Sequence, residues 1–455
     1  INSRFSGDSS HMNRTFHIIT FGCQMNKLDS ELIQASLQNR GFQPVSEPDD
    51  ASVVLYNTCS VREHAENKVF SHLGTWRERA EENEDFIVGV TGCMAQRMGE
   101  RITDKFDYVR LVCGTRSFLE IPDYIEHIAR TGEPVIALGE EPLELNRDPE
   151  LRPSHHRAFL SIMRGCDNYC AYCIVPHVRG RETSRQPEEI LDEAQNLVSD
   201  GVVELTLLGQ NVNSYGKDVD GDVGLVHLLE NLNDMDGLRR IRFITSHPRD
   251  MSEAIFRAVA ELDAVCEHVH MPAQSGSDEI LKRMNRHYTR RHYLDMVETG
   301  RRQLPEMAFS SDFIVGFPGE TDADFEQTLA LLKNVRFQQS YIFRYSPRPG
   351  TRAADMEDDV TDEIKRERQQ RLLAAQEEVD SRRRAGLVGE TLEVLCEGEN
   401  ARHKQEGQWR GRTRKNDIVV FDAPDAQPGK IRPITISDST ALTLFGRQQE
   451  PEPPQ

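Results

Sequence analysis

The 455-residue chain has no apolar run long enough to cross a bilayer and no segment that reads as a secretory signal. Those absences predict a cytoplasmic protein with no membrane partner. Positive charge is in deficit: 55 Lys and Arg face 75 Asp and Glu, a net charge of −20. That excludes a uniformly basic nucleic-acid binder. A secreted disulfide framework fits poorly, because the nine cysteines are odd in number and fall at cluster-like and strand-end positions. No repeat of fixed period is present. Hydrophobic content of 37% and charged content of 29% are ordinary for a globular chain, and the length predicts two to four domains. Residues 1–13, ending in His11-Met12-Asn13, read as partly vector-derived and are left out of fold reasoning.

What the chain does have is a cysteine triplet, Cys166, Cys170 and Cys173, spaced C-x3-C-x2-C. Three soft thiolates on one short loop suit iron–sulfur ligation. No fourth cysteine lies nearby, so one iron would be left open. An open iron suggests chemistry, whereas a fully ligated cluster suggests electron storage. A small zinc site or three unrelated thiols are the alternatives at this point.

Residues 14–130 alternate short β-branched runs (16–20, 52–56, 86–91, 108–112) with helical segments near 27–40, 61–83 and 94–105. That rhythm predicts a parallel sheet flanked by helices, an N-terminal α/β sandwich. Cys23, Cys59 and Cys93 each follow one of the first three strands. Ligands of open α/β sheets gather at those strand ends, so the three predict a second thiolate site built by the fold. Three separate buried cysteines remain the alternative. Cys113 follows the fourth strand and is ambiguous. Residues 131–157, rich in Pro and Glu, read as a linker.

Residues 158–384 repeat a β-then-α pattern six times, with strands at 159–163, 203–208, 241–245, 267–271, 309–315 and 341–345 and a long charged helix at 362–384. Six units predict a partial (β/α)6 barrel whose catalytic face lies at the strand C-termini, where the triplet falls. Gly209-Gln210-Asn211 and Gly316-Phe317-Pro318-Gly319 follow the second and fifth strands and are either cofactor contacts or plain turns. His247 and His270 also lie at strand ends and carry no assigned role. Arg179 and Arg181 either meet phosphate or are solvated. Residues 385–447 switch to short strands (391–396, 418–421, 431–437) and predict a small antiparallel barrel, a common oligonucleotide-binding shape. The tail at 451–454 reads as disordered.

Two basic stretches interrupt the acidic background. In 402–415, Arg402, Lys404, Arg410, Arg412, Arg414 and Lys415 face one acid, Glu406, and Trp409 offers a stacking surface. In 282–291, Lys282, Arg283, Arg286, Arg290 and Arg291 face none. Either patch could grip a polyanion or be a solvated surface.

The triplet after the first strand of a six-unit barrel resembles the signature of radical S-adenosylmethionine (SAM) enzymes. Further runs resemble the methylthiotransferase family within them: T-F-G-C-Q-M-N-K-L-D-S-E (20–31), N-T-C-S-V-R-E-H-A-E-N-K (57–68), G-C-M-A-Q-R (92–97), Y-C-I-V-P-H-V-R-G-R-E (172–182), L-L-G-Q-N-V-N-S-Y (207–215), T-S-H-P (245–248) and D-F-I-V-G-F-P-G-E-T (312–321). The C-terminal part resembles a TRAM domain, an RNA-binding barrel. The resemblance covers about residues 15 to 447.

The resemblance implies two 4Fe–4S clusters, one on Cys166, Cys170 and Cys173 that also binds SAM, and an auxiliary one on Cys23, Cys59 and Cys93. It implies cofactor contacts at Tyr172, Gln210, Asn211, Gly316 and Pro318, and RNA contacts at Arg402, Lys404, Trp409, Arg410, Arg412, Arg414 and Lys415. No catalytic residue beyond the cluster ligands is implied. The reaction implied is methylthio transfer to C2 of N6-isopentenyladenosine beside the anticodon. The partners are a tRNA anticodon stem-loop, an external electron donor and a sulfur source, and the chain is expected to be a monomer. The same chemistry on threonylcarbamoyl-adenosine or a ribosomal protein aspartate is the runner-up. A non-catalytic iron–sulfur RNA-binding protein is the third reading. Met271 stands where the family usually has Leu, a volume-conserving change. Cys113 falls outside the implied ligand set.

Overall fold

β-Branched and apolar residues fill the interior strands so completely that every side chain of Val53–Thr58 is buried, as a strand covered on both faces requires. The computed structural model describes residues 14–60, 63–139, 154–221, 223–400, 407–423 and 425–448. Two units result, one holding the described residues up to 139 with His177–Arg179, the other holding the rest.

The first unit runs β1 (Thr15–Phe21), α1 (Gln24–Asn39), β2 (Gln43–Pro44), β3 (Val53–Thr58), α2 (Glu63–Leu73), α3 (Arg77–Glu82), β4 (Ile87–Thr91), α4 (Cys93–Met98), α5 (Arg101–Lys105), β5 (Val109–Cys113), α6 (Ile121–Thr131) and β6 (Val135–Ala137). Its six strands form one sheet, ordered β2-β1-β3-β4-β5-β6, with every pairing parallel. Val54, Tyr56, Val88, Val90 and Val112 pack against Val69, Leu73 and Ile102. The helices expected at 61–83 and 94–105 are each broken in two, the second at Gly99, which has a positive φ of 52°. The linker expectation over 131–157 needs correction at Val135–Ala137, which pair with β5 as the sheet edge. Three residues are too few for their alternation to register as a strand. Residues 140–153 lie outside the described residues.

The second unit opens with β7 (Arg157–Ser161), β8 (Met163–Arg164), α7 (Val175–Arg179, whose last three residues belong to the first unit) and β9 (Thr183–Ser184). It continues with α8 (Pro187–Ser199), β10 (Glu204–Leu208), α9 (Leu225–Asn233), β11 (Arg240–Ile244), α10 (Glu253–Glu261), β12 (His268–His270), α11 (Asp278–Arg283) and α12 (Arg290–Gln303). β13 (Ala308–Val315), α13 (Asp322–Val335), β14 (Gln339–Arg344) and α14 (Asp362–Ala385) complete the βα series. Parallel strands β7, β10 and β11 form one half of the partial barrel and β12, β13 and β14 the other, joined by a parallel bridge between Ile241 and Val265. The first strand ends two residues earlier than expected. Met163–Arg164 leave it to pair antiparallel with Thr183–Ser184, which lifts the cysteine loop off the strand end.

The chain ends in β15 (Thr391–Glu399), β16 (Gln408–Thr413), β17 (Ile418–Asp422), β18 (Ile431–Ser439) and β19 (Leu444–Gln448), a closed five-stranded barrel. Val394, Cys396, Phe421, Ile434, Ile436 and Leu444 fill it. Strands β16 and β19 escape the sequence reading, because arginines in one and glycine in the other mask the alternation. This barrel docks on the strand N-termini of the larger one. Arg240 donates to Arg412 O (2.8 Å) and Glu393 Oε1 (2.9 Å), and Arg242 donates to Thr413 O (2.8 Å) and Arg414 O (2.7 Å). Among the described residues no helix is long and apolar enough to cross a membrane.

Candidate metal centres

In the first unit, the turns after β1, β3 and β4 carry Cys23, Cys59 and Cys93. Cys23 caps α1, Cys59 N–H donates to Phe21 O (2.9 Å), and Cys93 opens α4. Gly92 makes the last turn possible. Its φ is 89°, and a Cβ there would stand 2.4 Å from Asn57 Oδ1. Asn57 and Asn26 form a buried pair at 3.0 Å, and Asn26 Oδ1 accepts from the Cys23 thiol at 3.4 Å. The hydrogen bond from Cys59 draws the Cys23 pKa down to about 6; burial opposes that, and the nearby Arg179 charge assists it. Burial raises the Cys93 pKa against the pull of Arg179.

Arg179 is buried among these thiols and pairs with Asp29 at 2.7 Å. Neither alternative expected for Arg179, phosphate contact or solvation, matches this placement: its charge is turned inward. Among the described residues its Nη1 meets no hydrogen-bonding oxygen or nitrogen. A buried guanidinium whose charge acts on the Cys23 and Cys93 thiols fits an anionic thiolate cluster. Cys113 ends β5, and burial raises its pKa strongly, as befits an inert thiol. Among the described residues, no three His, Cys, Asp or Glu side chains are drawn tightly enough to hold a metal as they stand.

The second triplet lies on the loop after β8. Gly165 starts it at φ 76°, where a Cβ would collide with Arg181 O at 1.9 Å. Gly165 N–H donates to Gln210 Oε1 at 2.5 Å. Cys166 accepts from Asn168 Nδ2 (3.4 Å), Cys170 accepts from Arg286 Nη1 (3.3 Å), and Cys173 N–H donates to Cys170 O (2.9 Å). Burial raises the Cys166 pKa and, with the neighbouring Cys170, pushes that of Cys173 up to about 12. Three thiols held without a carboxylate partner fit soft-metal ligation.

Tyr172 packs against Ala171, Ile280, Met284, Phe317 and Tyr345. Asn211 donates to Asp250 (2.8 Å) and accepts from His247 N–H (3.0 Å), so it and Gln210 already have protein partners. Gly316 N–H donates to Glu320 Oε1 (2.8 Å), and Pro318 O accepts from Arg283 (2.9 Å). His247 is buried, and its Nδ1 accepts from Arg249 N–H at 3.2 Å. The proton of the neutral ring must then sit on Nε2, which has no partner among the described residues. His270 contacts Ser310 Oγ at 2.9 Å. Arg286 was hidden in the sequence, because the only signal was its place in a basic stretch that reads equally well as solvated surface.

The expected RNA contacts divide. Arg402 and Lys404 lie outside the described residues. Trp409 is a partly buried ring packed on the small barrel's core. Alternation along β16 sends it inward while Arg410 and Arg412 point outward. Arg412 pairs with Glu397 (3.0 Å), Arg414 with Glu267 (2.7 Å) and Lys415 with Glu306 (2.7 Å). Arg410, 3.3 Å from Glu397, is the most exposed of the four. Arg181 is exposed and pairs with Asp167 at 2.8 Å.

The comparisons agree with this anatomy. The family model of the radical SAM superfamily matches residues 160–332, the TRAM domain model matches 386–448, and one described as uncharacterized protein family UPF0004 matches 15–114. Among solved structures, the radical S-adenosylmethionine methyltransferase TsrM from Kitasatospora setae aligns with a TM-score of 0.55 at 14% identity, covering 75% of this chain and 77% of that one. Fold and cysteine loop together define a radical SAM enzyme, a class that works with SAM and an iron–sulfur cluster.

Full-length relatives narrow the class. A tRNA-2-methylthio-N(6)-dimethylallyladenosine synthase from Moorella thermoacetica is 44% identical over 95% of this chain and 98% of its own length. One from Thermoanaerobacter pseudethanolicus is 43% identical over 96% and 93%. The chain belongs to this MiaB family of tRNA-2-methylthio-N(6)-dimethylallyladenosine synthases.

Proposed function

We propose that the protein adds a methylthio group to C2 of N6-isopentenyladenosine beside the anticodon of tRNA. The observation that carries the reading is the pairing of two three-cysteine sets, one in the turns after β1, β3 and β4 and one on the loop after β8, with 44% identity over nearly the full length of a synthase of that name. Cys166, Cys170 and Cys173 hold the SAM-binding cluster and Cys23, Cys59 and Cys93 the auxiliary one. When bound, these groups supply a radical able to take hydrogen from adenine C2 and a sulfur and methyl to replace it.

The chain's own residues do the rest. Asp29 orients Arg179, whose charge offsets the negative thiolates around it. Gln210 fixes the start of the cysteine loop through Gly165. Asn211 and Asn213 both accept from the backbone N–H of His247 and hold its turn, while Arg249 N–H donating to Nδ1 leaves a neutral ring with its Nε2–H available to a bound ligand. Tyr172, partly buried beside the triplet, gives an apolar wall for the adenine of SAM.

We read the working parts as 14–130, a linker at 131–157 of which Val135–Ala137 pairs with the first sheet, 158–384 and 385–447. The partners are an anticodon stem-loop, an electron donor and a sulfur source, met by a cytoplasmic monomer. The test is anaerobic. Reconstituted protein receives reductant, SAM and a stem-loop carrying isopentenyladenosine, and digested nucleosides are weighed by mass spectrometry. A methylthio adduct with 5′-deoxyadenosine supports the reading. Deoxyadenosine alone moves it to the threonylcarbamoyl or protein substrate, and neither product with both clusters present favours a binding protein. Cys59→Ala should lose the auxiliary iron yet still cleave SAM, whereas Cys170→Ala should cleave none.

A further inference from the structure

The basic stretch 282–291 has found no role in the reaction so far. Lys282, Arg283 and Arg291 of that stretch are exposed, but Arg286 is turned inward. Arg286 is 4% exposed, and its guanidinium makes three directed contacts: Nη2 to Pro272 O (2.7 Å), Nε to Tyr288 Oη (3.0 Å) and Nη1 to Cys170 Sγ (3.3 Å). Tyr288 in turn donates to Ala273 O at 2.7 Å. The turn after β12 thus aims the guanidinium at the sulfur.

The neighbours of Arg286 grip the same loop by other means. Met284 O accepts from Ala171 N–H (2.8 Å), and Asn285 Nδ2 donates to Tyr169 O (2.8 Å). Asn285 and His287 both take positive φ, 58° and 56°, a conformation that costs a non-glycine residue energy. Those two contacts hold the loop without using the guanidinium. A buried permanent cation is a further expense unless something offsets it. Among the described residues no carboxylate forms an ion pair with Arg286. The side chain it meets with an N–H aimed at sulfur is Cys170.

We propose that Arg286 is a positioning residue for the cluster on Cys166, Cys170 and Cys173, supplying a fixed positive charge and an N–H···S hydrogen bond that favour the reduced cluster. The proposal rests on the reading that this triplet carries the SAM-binding cluster. Reduction adds one negative charge to a thiolate-bound centre, and a buried cation 3.3 Å from one of its sulfurs stabilises that charge.

The experiment uses the full chain in a Cys59→Ala background, which leaves one cluster to observe. Arg286→Gln and Arg286→Lys are reconstituted anaerobically and titrated against mediators, with the reduced cluster followed by electron paramagnetic resonance. Arg286→Gln is expected to bind iron and sulfide yet lower the ratio of reduced to oxidised cluster about tenfold at a fixed solution potential, equivalent to about 59 mV for one electron. Arg286→Lys is expected to recover part of that ratio. A wild-type ratio and line shape in Arg286→Gln overturns the proposal. If Arg286→Gln holds no iron, Asn285→Ala decides, since it removes a loop anchor and keeps the charge. Iron retained there with an unchanged ratio supports the proposal; equal iron loss in Asn285→Ala and Arg286→Lys overturns it. Should the parent and its Cys170→Ala derivative show the same cluster signal, the ligand assignment itself has failed, an outcome separate from the others.

Discussion

Arg179 and Asp29 are 150 positions apart in the chain and meet at 2.7 Å as an ion pair, with side-chain exposures of 3% and 2%. The pair sits beside Cys23 and Cys93, whose thiols feel the Arg179 charge. Asp29→Asn keeps the shape and leaves the guanidinium uncompensated. Loss of a buried partner costs on the order of 3–5 kcal/mol. Thermal melts of the apo variant should show that loss, and iron analysis should show a deficit at the auxiliary site. An unchanged melt would mean that Arg179 finds another counter-charge.

The docking of the small barrel has its own signature. Glu204 is buried with Arg242 at 2.9 Å and Arg240 at 3.9 Å; although burial works against it, those charges hold its pKa below the usual range. Glu204→Gln should destabilise the whole second unit by roughly 3–5 kcal/mol. Chemical denaturation read by tryptophan fluorescence, to which both Trp76 and Trp409 contribute, and by far-UV circular dichroism should show the transition of the second unit at lower denaturant, because the arginines bridge both barrels.

His247 predicts an acid-side weakness. Burial, helped by the charges of Arg286 and Arg249, holds its pKa well below the ordinary histidine value. The unfolded chain then binds a proton below about pH 6.5 that the folded protein refuses. Stability therefore falls as pH drops from about 6.5, by up to about 1.4 kcal/mol per unit from this residue. His247→Gln should flatten that slope in melts taken between pH 6.5 and 5. An identical slope would assign the acid sensitivity to other groups.

Two arginines of the last barrel should separate affinity from stability. Arg410 faces outward and Arg414 ties β16 to Glu267. Arg410→Ala should weaken tRNA binding and reduce the salt slope of log K by about one. Arg414→Ala should lower the melting temperature and leave that slope near wild type. Filter binding over a salt series with parallel melts distinguishes them.

Much of this architecture is local, and local patterns are legible. The spacing of Cys166, Cys170 and Cys173 and the strand-end positions of Cys23, Cys59 and Cys93 are properties of short segments. The alternation of β-branched runs with helical stretches places nearly every long strand to within two residues. The strands at Val135–Ala137, Gln408–Thr413 and Leu444–Gln448 stay hidden, because short or arginine-filled segments take their order from a neighbouring strand.

By itself, then, the chain determined its thiol sets and its layered α/β plan, since periodicity and spacing are set within a few residues. Tertiary structure decided the use of charge. An arginine in a basic run reads the same whether it is solvated, as an exposed Arg291 is, or buried against a thiol 116 positions away, as Arg286 is against Cys170. Only the folded chain brings the partner that makes burial of the cation affordable, and that partner lies beyond the reach of any local pattern.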